Sequence, residues 1–206
     1  PNNPVADVDD LFTDFVGDAT EASLGSVTLT LSTTALSADD GLAVARADVI
    51  ADATSTFVVT GDFSNALTAG AGAVTVDASA TCAGAGTGLT VNTGGTTATL
   101  TNTTPLLNAT AMHVCIEPDP ATTMAATSAY SATLTPAAGA NGTLAAQSGA
   151  LGMITRNGTT LEIPYITTFS DYNQRLLMTN NSATDTTYSC TFTPEAGVTA
   201  TAGSGA

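Results

Sequence analysis

Apolar and polar positions alternate with a period of two through most of this chain. Val27, Leu29 and Leu31 interleave with Thr28, Thr30 and Ser32, which predicts a strand with one dry and one wet face. Residues 43–51 (AVARADVIA) and 55–63 (STFVVTGDF) predict two more strands. Val74, Val76, Ala78, Ala80 and Cys82 share one face of the next, and Leu89-Thr90-Val91 pairs with residues 97–101 across Thr93-Gly94-Gly95, where the glycines supply the backbone of a tight hairpin. Residues 112–116 form a strand that ends at Glu117-Pro118-Asp119-Pro120, because proline cannot donate to a ladder. Tyr130, Ala132 and Leu134 alternate in another.

Residues 136–149 (PAAGANGTLAAQSG) break the pattern and predict a linker or a crossover between sheets. Beyond them, Met153 to Tyr165 reads as a hairpin turning at Asn157-Gly158, and residues 175–179 and 186–193 as a second pair. Residues 1–25 follow a different period. Val8, Leu11, Phe12, Phe15 and Val16 recur at helical spacing with acids between them, which predicts a short helix or an extended arm.

The predicted class is all-β, with an immunoglobulin-like β-sandwich architecture in one extended body or two sub-domains. Residues 1–25 form the arm, 26–135 the sandwich, 136–149 the linker or crossover, and 150–206 a second sheet group. With about five strands, that last group is incomplete on its own against the roughly seven of an immunoglobulin-like unit. The second group is completed from elsewhere: by sharing sheets with the first group, by taking a strand from another chain, or by belonging to a longer protein.

Composition sharpens this picture. Charged residues make up 10% of the chain, and the polar surface is Thr, Ser, Asn and Gly instead. The net charge is −15, from 18 acids and 3 arginines with no lysine. That sign repels phosphate backbones and anionic bilayers, which excludes nucleic acid and direct membrane insertion as partners. The absence of lysine also removes Schiff-base chemistry, P-loop phosphate binding and lysine isopeptide cross-links.

Candidate chemistry is sparse. Cys82, Cys115 and Cys190 make no metal-binding spacing, and the composition suits an oxidising, extracellular setting with one disulfide. Cys82–Cys115 is preferred because each lies on a strand flanking one predicted hairpin; Cys82–Cys190 competes because both lie on the apolar faces of their strands. Sequons at Asn102, Asn108, Asn141, Asn157 and Asn180 offer glycan attachment points. Asp39, Asp40, Asp9 and Asp10 are the acids that could take Ca²⁺, although none follows an EF-hand spacing. His113, two residues from Cys115, is the only histidine, and no nucleophile motif accompanies it. The expectation is therefore a protein that is not an enzyme.

The segment LEIPYITTFSDYNQR, the N-x-S turn at Asn180 and the tail FTPEAGVTATAG carry a resemblance. Over residues 161–203 the chain resembles secreted, β-rich surface proteins of marine Gram-negative bacteria. The resemblance implies a cell-surface location and transfers no catalytic residue. Where such proteins continue past the tail with further strands, this chain stops.

These readings combine into a structural subunit of an extracellular assembly, a filament, sheath or surface layer built from copies of itself. The joint is β-strand exchange or edge pairing. The strand carrying Val27, Leu29 and Leu31 is the candidate assembly strand. The alternative is a monomeric adhesin or a calcium-dependent binding module.

Overall fold

The computed structural model describes residues 3–8, 10–17, 19–30, 41–66, 73–106, 110–125 and 127–157. In the remainder it describes 163, 177, 179, 188–190, 193–194, 196–197, 199 and 203–205. The chain divides into Pro1–Asn157 and Gly158–Ala206. The first unit contains β1 (Val5–Ala6), β2 (Ala22–Val27), helix α1 (Arg46–Val49), β3 (Thr56–Thr60), β4 (Val74–Asp77), β5 (Thr87–Gly88), β6 (Thr90–Val91), β7 (Thr97–Leu100), β8 (Met112–Ile116), β9 (Thr127–Thr135) and β10 (Gln147–Arg156). The second contains β11 (Tyr188–Cys190) and β12 (Gly203–Gly205), which pair antiparallel.

Two sheets make the first unit, one in the order β1-β10-β9-β3-β7-β6 and the other in the order β2-β8-β4-β5. Neighbours run antiparallel except β1 beside β10. Period-two alternation sends Phe57, Val59, Ala98, Leu100, Ala132 and Leu134 inward from the larger sheet. Leu24, Val74, Val76, Val114 and Ile116 face the same core from the smaller one. One continuous cluster thus joins both sheets, the signature of a β-sandwich. Each fully buried side chain of this size contributes about 1.5–3 kcal/mol.

The two long sides of the sandwich close differently. On one, residues 87–91 leave the smaller sheet and enter the larger, turning at buried Leu89, whose N–H donates to the Val74 carbonyl at 2.7 Å. On the other, a bulge between Ser23 and Gly25 in β2 meets a bulge between Ala150 and Met153 in β10. Gly25 has φ of +139°, and a Cβ there would stand 3.2 Å from Leu151 Cδ2, so only glycine serves both the backbone and the spacing.

Several expectations differ from what is observed. Residues 10–16 form turns and a bridge rather than a helix: Leu11 and Phe12 take positive φ, and Phe15 bridges Ala6 and Ala19. Phe12 lies under the Arg156 guanidinium at 4.2 Å, and Arg156 also donates to the Met124 carbonyl. The arm expected over 1–25 is therefore integral, supplying β1 to one sheet and most of β2 to the other. Residues 43–51 contain α1 instead of a strand, because the Asp48 carboxylate accepts the Ala45 N–H at 2.8 Å and Arg46 pairs with Asp52 at 2.6 Å. The segment 136–149 ends inside β10, whose Gln147–Ala150 pairs with β9, so Leu151–Arg156 belongs to the sandwich and the division falls after Asn157. The hairpin expected at Asn157-Gly158 and the pair of residues 175–179 with 186–193 lie mostly outside the described residues.

Gly61 illustrates the packing tolerance. A Cβ there would fall inside the ring of Tyr130, which is 3% exposed, donates to the Asp62 carbonyl at 2.6 Å and tilts against Phe63 at a centroid distance of 5.3 Å. Gly61→Ala is expected to lower stability by about 2 kcal/mol in urea unfolding, whereas Gly149→Ala, where a Cβ meets nothing within 4 Å, leaves it within about 0.5 kcal/mol.

Candidate functional site

The most elaborate local construction lies on the outer face of the smaller sheet. All four residues of β4 are buried, which requires a cover on the side away from the core. The cover is the loop from Ser79 to Gly86. Asp77 holds it, its carboxylate accepting the N–H groups of Ser79 at 2.9 Å and Gly84 at 2.7 Å. Glycines let the loop approach: a Cβ on Gly84 would sit 2.5 Å from Asp77 Oδ1, and one on Gly86 2.7 Å from Thr75 Oγ1.

A disulfide between Cys82 and Cys115 fastens the same loop to β8, with Cα atoms 5.8 Å apart. This is the preferred pairing, and the competing Cys82–Cys190 is excluded; Cys190 is free and half-buried. Cys82 takes φ of +59° in the turn, so the strand read through Ala78, Ala80 and Cys82 ends at Asp77. The disulfide also removes any His113–Cys115 dyad. His113 Nδ1 instead stands 3.3 Å from Ser23 Oγ.

Glu21 borders this brace, beside an open cleft lined by Asn3, Pro4, Ala19, Ser23 and Thr81. Its carboxyl lies within 4.8 Å of both sulfurs. Burial pushes the Glu21 pKa up, and the charges of Glu117 and Asp77 push it further. Among the described residues this is the one cluster of three potential metal ligands, but its sulfurs are bonded to each other and offer no thiolate. Elsewhere in the unit, Arg46 donates to both Asp52 oxygens and Thr103 Oγ1 donates to one at 2.9 Å. The Arg46 hydrogen bonds hold the Asp52 carboxyl below its ordinary range.

The other expected site residues are scattered. Asp9, Asp39 and Asp40 lie outside the described residues, and Asp10 is exposed in a turn where its carbonyl accepts from Thr13. Val27 ends β2 and Leu29 packs half-buried against the core; Leu31 lies outside the described residues. Of the sequon asparagines, Asn102, Asn141 and Asn157 are exposed, while Asn108 and Asn180 lie outside. Asn141 Nδ2 donates to Asp48 and Asn157 Nδ2 to Asp7, whereas Asn102 uses only its oxygen, to accept from Thr104. Sequence reading missed Asp77 altogether. The signal was there in Asp77-Ala78-Ser79, an Asx-turn pattern followed by two closely spaced glycines.

Cys115→Ser is expected to lower stability by about 3 kcal/mol in urea unfolding, since the bridge closes a loop of 33 residues. The two carboxyls predict opposite pH effects. Asp52→Asn destabilises by about 1 kcal/mol at pH 7, and the gap from wild type closes as pH falls through the depressed folded value. Glu21→Gln stabilises at pH 7, because the raised carboxyl costs stability when ionised, and that advantage disappears below the unfolded value. Thermal melts across pH 3–8 check both signs.

Among the described residues, this geometry braces a loop against the sheet. Among the described residues no helix is long and apolar enough to cross a membrane. No curated protein and no solved structure matches the chain. The family model described as S-layer protein Slr4 matches residues 2–206. The chain therefore belongs to the S-layer protein Slr4 family, as a structural surface-layer subunit located at the cell surface.

Proposed function

We propose that this subunit builds its layer by binding copies of itself through paired sheet edges rather than by exchanging a strand. The supporting observation is the seating of the candidate assembly strand. Leu24 is buried at 0% exposure, Val27 and Leu29 pack on the same core, and β2 is laddered to β8 through five register pairs. Donating that segment to a neighbour would forfeit several buried side chains of about 1.5–3 kcal/mol each. Edge pairing keeps them in place and adds backbone hydrogen bonds.

Charge sets the condition for assembly. Copies carrying −15 repel one another until salt screens them, and the screening length falls from about 30 Å at 0.01 M to about 8 Å at 0.15 M. Ca²⁺ at the acids, and glycans at Asn102 first among the described sequons, belong to the same proposal as modifiers of the layer surface.

Negative-stain micrographs of the purified chain are expected to show ordered sheets above about 0.1 M NaCl and dispersed particles at low salt. Particles that stay monomeric across that range and at high concentration would defeat the reading. CaCl₂ at matched ionic strength separates two roles for the acids: an equal effect means screening, and a selective one means that they ligate the ion.

A further inference from the structure

We infer that one contact of the layer is formed by the outer edge of β10, Gln147–Ala150, pairing antiparallel with the same edge of a second copy about a two-fold axis. This inference rests on the proposed self-assembly and names the surface that performs it. Three observations lead to it.

First, the edge is open among the described residues. Gln147–Ala150 is laddered on one side to Leu134, Thr133, Ala132 and Ser131 of β9. On its other side β1 reaches only Thr155 and Arg156, and Asn3 Oδ1 takes the Met153 N–H. Every residue from Thr143 to Ala150 is exposed, Leu144 at 42%. Among the described residues of the first unit the other sheet margins are brief or occupied: β5 and β6 have two residues each and are one continuous crossover, β1 is covered by the Phe15 bridge, and the bulge of β2 rests on β10.

Second, the edge lacks the features that keep strands apart. Charged side chains, proline and bulges protect ordinary edges. Thr-Leu-Ala-Ala-Gln-Ser-Gly-Ala has no charge and no proline, and the β10 bulge comes after it.

Third, the charge distribution selects the occupant. In a chain with 18 acids, none lies between Asp119 and Glu162, and Arg156, the one charged residue there, is engaged with Phe12 and Met124. Side chains of this stretch hydrogen-bond acids at two points outside Gln147–Ala150, Asn141 to Asp48 and Asn157 to Asp7. Two copies of so acidic a protein approach with least repulsion here. A two-fold axis lets identical edges satisfy each other's N–H and C=O groups, and antiparallel pairing is the stronger form. The result is one sheet running through both copies, with other contacts extending the layer.

Gly149 gives a clean test, because a side chain there meets nothing within 4 Å of its Cβ and its backbone is not left-handed. Gly149→Glu and Gly149→Lys are each expected to keep the wild-type melting temperature. Like charges facing across the two-fold axis should raise the concentration needed for assembly about tenfold in Gly149→Glu. A 1:1 mixture of the two variants should assemble near the wild-type concentration, and amide exchange of residues 147–150 should slow in assembled wild type. Wild-type assembly by Gly149→Glu alone, or no recovery in the mixture, overturns the edge while leaving self-assembly intact. Failure of the wild-type chain to assemble at all overturns the proposed function itself.

Discussion

The close approach of the two sheets where β2 crosses β10 is the constraint on which the sandwich depends. The core has no tryptophan and few aromatics, so its inward layer of Val, Leu, Ile and Ala must be thin to be filled. Two bulges and Gly25 bring the sheets together on one side, and the crossover at Leu89 ties them on the other. With both sides joined, the polar faces can be hydroxyl-rich and almost uncharged without opening to water.

Much of this was legible in the alternation itself. β3, β8 and β9 fall where period two placed them, with Tyr130, Ala132 and Leu134 buried together, and the glycine hairpin between β6 and β7 was readable from Thr93-Gly94-Gly95. Errors arose where local polar contacts outweigh periodicity. Residues 43–51 read as a strand, but Asp48 caps a helical turn and Arg46 reaches Asp52. Leu11, Phe12 and Phe15 are spaced for a helix, yet Phe12 is drawn under Arg156 from the other end of the unit, a partner no local window contains. The small, polar Gln147–Ala150 looked like linker because an exposed edge needs no apolar face.

The candidate site was half visible. The expected pairing Cys82–Cys115 is the bridge that forms, although Cys82 lies in a turn rather than on a strand, and the carboxylate that braces the same loop was not singled out. Asp77 neighbours no other acid in sequence, and its importance arises only when Gly84 returns to it seven residues later.

The bridge between Cys82 and Cys115 has a mechanical consequence. The covalent ring it closes contains β5, β6 and β7, and so laces strands of both sheets into one loop. Tension entering from either end of the chain bypasses that ring. A subunit torn open within a stretched envelope would thus lengthen by about 110 Å less than its contour allows, from 33 residues at roughly 3.4 Å each. The laced portion would stay behind as a knot-like anchor from which the rest can refold.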